Sequence, residues 1–179
     1  MPAGVRRPAS LIFLHWATLI LIAALVGLVF VREGMDEKAT RNLLLNLHRS
    51  LGLAVALLAV ARILVRFASH PLPRTAEMSW PARLAAEGAH LGMYALLFSL
   101  PLLGWALSSA NGKVVSFFGV VTLPPLVEQD EDLGDALAEY HETAAWLLLA
   151  LVGVHAAAAL FHHFVKRDQV LRAMLPGRD

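Results

Sequence analysis

The chain has 179 residues, of which 58% are hydrophobic and only 16% are charged, and its mean hydropathy is +0.61. Soluble domains contain about 25% charged residues, so this composition predicts an integral membrane protein. A net charge of +1 without a clustered basic face excludes a nucleic-acid-binding role. The absence of cysteine excludes disulfides, iron–sulfur clusters and thiolate zinc sites.

Four segments are long and apolar enough to cross a bilayer, which takes about 20 residues in a helix. In up-down-up-down order, the predicted helices cover residues of about 10–31, 43–67, 81–109 and 141–165. The predicted fold class is therefore all-α, an integral membrane four-helix bundle in which residues 1–179 form a single membrane domain. The long connection 111–139 is apolar at first, where we expect it to lie along the membrane surface, and then acidic.

The distribution of basic residues predicts how the chain is oriented, because cytoplasmic loops carry an excess of Lys and Arg. Both termini and the connection between the second and third helices lie on one side. On that side are ten of the 15 basic residues: Arg6, Arg7, Arg62, Arg66, Arg74, Arg83, Lys166, Arg167, Arg172 and Arg178. We therefore predict that both termini are cytoplasmic and that connections 32–42 and 111–139 face outward.

The histidines are notable because an ionisable side chain inside a bilayer is costly and usually functional. The chain has eight. His141 and His155 lie about 21 Å apart along the fourth helix and within about 40° of the same face. His48 lies at the depth of His141, and His15 lies at the depth of His155. These depths predict an outer site and an inner site.

Paired imidazoles suit haem iron, since two axial histidines leave no open position and favour electron transfer. We predict two non-covalently held b-type haems whose axial ligands to iron are His15, His48, His141 and His155. His90 also lies on the inner side and competes with His15 for the inner site. The alternative interpretation is that the histidines are polar contacts between helices, as in a transporter without haem.

Further side chains are candidates for contacts around the two sites. His90 and His162 are candidates for hydrogen-bonding a quinone or a haem propionate, and His162 lies two turns beyond the fourth helix's inner ligand. Arg49 is a candidate propionate contact at the outer site. Arg62 and Arg66, at the inner end of the second helix, are expected to extend to lipid phosphate, with a propionate contact as the alternative.

These motifs resemble the prokaryotic cytochrome b561 family, small four-helix di-haem cytochromes of bacterial inner membranes that include superoxide oxidase. The resemblance covers nearly the whole chain. The resemblance rests on Leu14-His15-Trp16, His48, His90 with Tyr94 and Pro101, His141-Glu142-Thr143, the run from Gly153 to Leu160, and His162-His163. It implies bis-histidine ligation by the four predicted ligands, ubiquinone near the cytoplasmic haem, and a multi-pass location in the bacterial inner membrane.

The family's best-defined reaction is oxidation of superoxide at the outer face, with electrons passing through both haems to ubiquinone. The resemblance therefore implies a superoxide:ubiquinone oxidoreductase. The outer connections carry ten Asp and Glu against five Lys and Arg, a balance that repels small anions unless Arg49 or Lys113 compensates locally. The alternative is an electron-relay cytochrome between the quinone pool and a soluble periplasmic carrier or partner enzyme. Membrane lipid is a partner under both functions.

Overall fold

The computed structural model describes residues 7–69 and 79–177. Its four long helices are α1 (Ala9–Glu33), α2 (Lys38–Ala68), α3 (Trp80–Ala110) and α4 (Glu131–Phe161). Each of the four is long and apolar enough to cross a membrane. The predicted all-α four-helix membrane bundle is therefore confirmed.

The helices are apolar on their outer faces as well as their inner ones. Large hydrophobic side chains such as Phe13, Leu57 and Leu91 are exposed on the outside of the bundle. A helix that is apolar all round is typical of a membrane span, and in lipid a helix pairs its own backbone N–H and C=O groups. The outward apolar residues are therefore those that contact lipid.

Consecutive helices are antiparallel, and α1 packs on α2, α2 on α3, and α3 on α4. The bundle therefore has two ends. The terminal end contains the start of α1, the end of α2, the start of α3 and the end of α4. The hairpin end contains the opposite helix ends and the connection between α3 and α4. Which end faces the cytoplasm remains a prediction, and of the basic residues behind it Arg6, Arg74 and Arg178 lie outside the described residues.

A layer of apolar side chains closes the middle of the bundle. Val55 and Ala59 of α2, Leu97 of α3 and Leu148 of α4 form a buried cluster. Leu148 is midway between His141 and His155, about 10 Å along the helix from each. The layer therefore separates the two ends at which the histidines lie.

The connection between α3 and α4 contains a short β-hairpin that the sequence did not predict, and its expected position along the membrane surface stays a prediction. Strands β1 (Val115–Phe117) and β2 (Val121–Leu123) form an antiparallel hairpin. The hydroxyl of Ser50 on α2 accepts from the Phe118 amide at 3.0 Å and donates to the Ser116 carbonyl at 3.1 Å. Strands of three residues carry too little alternation to be read from a sequence.

Helix α4 begins at Glu131 rather than near residue 141. The Asp130 carboxylate accepts a hydrogen bond from the Leu133 amide at 2.9 Å, which caps the helix. Glu131 and Asp132 lie in the first turn, where negative charge is favourable against the helix dipole. The acidic stretch expected as loop is therefore a helix start.

The C-terminal segment folds back over the start of α1. After Phe161 the chain makes a π-helical turn (His162–Lys166) and then a 3-10 helix (Arg172–Met174). The Trp16 indole N–H donates to the Met174 carbonyl at 2.7 Å. Ala173 is buried in this contact. The predicted single domain, 1–179, includes residues 1–6, 70–78 and 178–179, which lie outside the described part, and it stays a prediction.

Candidate functional site

At the hairpin end, His48 and His141 face each other across the bundle. Their ring centroids are 6.4 Å apart and the ring planes are inclined by 65°. Nδ1 of His48 lies 3.3 Å from the Leu25 carbonyl oxygen. With its proton on Nδ1 the ring donates to that carbonyl, which leaves Nε2 free to bind a metal. Nδ1 of His141 is buried and has no hydrogen-bond partner in the described structure.

These rings line a cavity of about 820 Å³, which is within the usual range for cofactor sites. Two glycines make room for it. A Cβ added at Gly104 would lie 3.2 Å from Cε1 of His141, and a Cβ added at Gly52 would meet no atom within 4 Å. Gly104 therefore lets the His141 ring lie against α3, and Gly52 leaves open space beside His48. The room and the free ring nitrogens fit a flat metal macrocycle.

Basic side chains line the same cavity. They are Arg32, Arg49 and Lys113, with Glu33 and Glu142 as the acidic lining residues. Nη1 of Arg49 donates to Asn46 at 3.1 Å, whereas Nε of Arg49 and Nε of Arg32 are buried and lack partners within the described chain. Such groups suit a carboxylate or another small anion.

Arg32 follows an apolar helix and falls in the predicted connection 32–42, so the sequence does not distinguish it from other loop residues. No sequence signal shows that it lies beside Arg49 on the next helix. The excess of Asp and Glu in the outer connections does not predict the basic lining of the cavity, because most of those carboxylates do not line it.

At the terminal end, His155 lies between His15 and His90. The His15 and His155 centroids are 6.2 Å apart, and those of His90 and His155 are 5.2 Å apart. A metal lies about 2 Å from each imidazole nitrogen, so two rings on opposite sides of one metal have centroids roughly 6 Å apart. The His15–His155 distance therefore matches the His48–His141 distance, and the His90–His155 distance is shorter.

The two competitors also differ in their polar ring atoms. Nδ1 of His15 is buried and lacks a hydrogen-bond partner among the described residues, whereas more of the His90 side chain is open to solvent. The geometry favours His15 as the partner of His155. The ligand assignments nevertheless remain predictions.

His162 has a partner that the sequence did not suggest. Its Nδ1 donates to Oδ2 of Asp168, and both side chains are about four-fifths buried, with exposed fractions of 17% and 21%. Burial raises the pKa of Asp168, but hydrogen bonds from His162 and from the Val170 amide outweigh it, and the pKa lies below its ordinary value. The carboxylate therefore holds the His162 ring, and whether the ring contacts a quinone or a propionate stays a prediction.

The expectation for Arg62 was wrong. Instead of extending outward to phosphate, Arg62 is partly buried and its guanidinium carbon lies 5.5 Å from the centre of the Tyr94 ring. Arg66, one turn further along α2, is exposed as expected. The aromatic face of α3 attracts the first cation inward, which a sequence without partner information does not reveal.

A four-helix membrane bundle with histidines paired in its interior is the arrangement expected of a membrane-embedded cytochrome. Residues 6–177 match the family model described as prokaryotic cytochrome b561, and the chain belongs to this family. The family predicted from the motifs is thus confirmed. The protein is a membrane electron-transfer protein that binds b-type haem, and it crosses the bacterial inner membrane several times.

Curated relatives match over most of their own length. The chain is 32% identical to cytochrome b561 homolog 1 of Escherichia coli over 175 residues, which is 97% of this chain and 98% of the relative. It is 32% identical to cytochrome b561 homolog 2 of the same species over 167 residues, 90% and 86% of the two chains. A probable superoxide oxidase, CybB, of Yersinia pestis is 30% identical over 168 residues, 92% and 93% of the chains.

Proposed function

We propose that the protein is a superoxide:ubiquinone oxidoreductase with two b-type haems and that its hairpin end faces the periplasm. The observation that carries this proposal is the presence of two histidine pairs with nearly equal ring separations, 6.4 and 6.2 Å, at opposite ends of one bundle. When bound, haem iron supplies a centre that accepts and releases one electron at a time. Two centres at different depths form a path across the membrane.

The protein's part in this path is to hold and orient. His48 and His141 are the proposed ligands at the hairpin end, and His15 and His155 those at the terminal end. The apolar layer around Leu148 separates the sites and excludes water. Two superoxide anions lose one electron each, and one ubiquinone takes two electrons and two protons.

The basic lining of the hairpin-end cavity supports superoxide as the donor. Arg32, Arg49 and Lys113 line the cavity beside His48 and His141 and outnumber its two acidic lining residues, Glu33 and Glu142, and a net positive lining favours the approach of an anion. A relative named as a probable superoxide oxidase adds support. The proposed reaction needs a small anion at this end, and the basic lining residues support that requirement.

We place ubiquinone at the terminal end. His90 is exposed next to His155 there, so its ring is available to hydrogen-bond a quinone carbonyl that arrives from the membrane. His162 lies two turns further along α4 with its Nδ1 held by Asp168, and Nε2 is the atom we assign to a second contact.

The deciding experiment counts haem per chain with a reduced-minus-oxidised spectrum and then measures superoxide consumption with and without added ubiquinone. We expect about two haems in the unaltered protein and loss of about one in either His48→Ala or His155→Ala. Superoxide consumption should exceed spontaneous dismutation and should require quinone. A rate of superoxide consumption that is the same with and without ubiquinone contradicts the proposed reaction.

A second candidate function is an electron relay to a soluble periplasmic carrier. Four exposed carboxylates at the start of α4 favour it: Asp130, Glu131, Asp132 and Asp135. Such a cluster attracts a basic protein partner. In that case the haems reduce readily, superoxide consumption stays at background, and reduction by a basic carrier slows as salt increases.

A further inference from the structure

Arg62 is a charged side chain inside a membrane-spanning helix, and the functions assigned above do not use it. It is partly buried, and the Tyr94 ring of α3 lies 5.5 Å from its guanidinium carbon. A charge at membrane depth is costly, and such residues usually face the bundle interior and have a role. Tyr94 therefore keeps the cation between α2 and α3 instead of at the lipid surface.

The charge of Arg62 points to the terminal-end histidines. Tyr94, whose ring lies 5.5 Å from the Arg62 guanidinium carbon, is one turn of α3 beyond His90, and the His90 ring is 5.2 Å from the ring of His155. The carboxylates that the structure describes near this end have other partners, since Glu87 pairs with Arg83 at 3.3 Å and Asp168 pairs with His162. In the described residues no acidic side chain forms an ion pair with Arg62. No protein carboxylate that the structure describes at this end therefore neutralises its positive charge.

We propose that Arg62, held by Tyr94, raises the reduction potential of the haem at His15 and His155. This inference rests on the haem assignment in the proposed function. Haem loses one unit of positive charge when its iron is reduced, so a fixed cation nearby stabilises the reduced form relative to the oxidised form. The effect is large where water is excluded, because the effective dielectric constant is low. Arg62 is a positioning residue that acts through its charge and not a ligand.

The experiment is a redox titration of the purified, haem-loaded protein, followed by visible spectroscopy. Arg62→Gln removes the charge, and Arg62→Lys keeps it. Arg66→Gln is the matched control, since it removes the same charge one turn away on the same helix from an exposed side chain. Tyr94→Phe keeps the aromatic face and should leave both potentials unchanged.

We expect Arg62→Gln to lower the equilibrium constant for reduction of one haem by about tenfold, which is a decrease of 59 mV in its one-electron reduction potential. The potential of the other haem should be unchanged. Arg62→Lys should restore most of the difference. The affected haem should be the one that His155→Ala removes. The inference is wrong if Arg62→Gln with both haems bound leaves both potentials unaltered, or if Arg66→Gln shifts them equally.

The haem count distinguishes this inference from the proposed function. If His155→Ala binds as much haem per chain as the unaltered protein, the proposed terminal-end site is wrong. The Arg62 inference is then wrong as well. If that site is present and its haem has the same reduction potential in Arg62→Gln as in the unaltered protein, only the Arg62 inference is wrong. Should Arg62→Gln fail to fold, Arg62→Met, which keeps a long unbranched side chain, provides the same measurement.

Discussion

The rings of His48 and His141 face each other at 6.4 Å with α3 directly beside them, and Gly104 of α3 is the residue that allows this. A Cβ at that position would lie 3.2 Å from Cε1 of His141, closer than the ordinary van der Waals contact of about 3.5–4 Å. The orientation of a proposed ligand on one helix therefore depends on the absence of a side chain on its neighbour.

Gly104→Leu should remove the hairpin-end haem. The added side chain displaces the His141 ring and occupies the cavity, so bound haem should fall by about one per chain. The measurement is haem per chain in the purified protein. Gly153→Ala on α4 is the control, because a Cβ there meets no atom within 4 Å. Normal haem content in Gly104→Leu would contradict the proposed position of the hairpin-end site.

His15→Ala and His90→Ala should differ. The His15–His155 spacing suits opposite ligands of one iron, whereas the His90–His155 spacing is shorter. We expect His15→Ala to lose about one haem per chain and His90→Ala to keep both, with slower quinone reduction in the second variant. Haem spectra and stopped-flow quinone reduction test this. The opposite result assigns the ligand role to His90.

The double variant Arg32→Gln, Arg49→Gln should react with superoxide about tenfold more slowly at low salt, because the cavity loses two of its attracting charges. The difference should shrink as ionic strength increases. Arg41→Gln is a suitable control, since Arg41 is exposed at the start of α2 and does not line the cavity. A rate that stays equal to that of the unaltered protein, with haem retained, counts against superoxide steering.

Asp168→Asn should loosen the C-terminal segment. The carboxyl's pKa in the folded protein is lower than its ordinary value of 3.8, so its stabilising contribution is complete above that value and disappears as pH falls through the lowered pKa. At neutral pH we therefore expect faster hydrogen exchange around the 3-10 helix Arg172–Met174 in the variant. The two proteins should converge only in strong acid.

Glu87→Gln is the control for that measurement, because it removes an exposed carboxylate at the same end of the bundle. Equal exchange of the segment in Asp168→Asn and in the unaltered protein at neutral pH would show that the His162–Asp168 contact does not hold the segment. Haem content should be unchanged in both variants, since neither residue is a proposed ligand.

Much of this protein follows from its sequence. The bilayer requires about 20 apolar residues per helix, so the distribution of apolar residues along the sequence predicts the four spans. Helical geometry is regular, so the 14-residue interval between His141 and His155 already implies two depths on one face. The family also follows, because the histidine motifs extend over most of the chain.

The tertiary structure decided what depends on neighbours from other helices. His90 and His15 are both plausible partners of His155 by depth, and only packing made one spacing 5.2 Å and the other 6.2 Å. Arg62 was expected at the lipid surface, but the ring of Tyr94 on another helix attracts it inward. Helical periodicity reports distances within one helix; the distances between helices, on which both the proposed haem sites and the charges around them depend, exist only in the folded bundle.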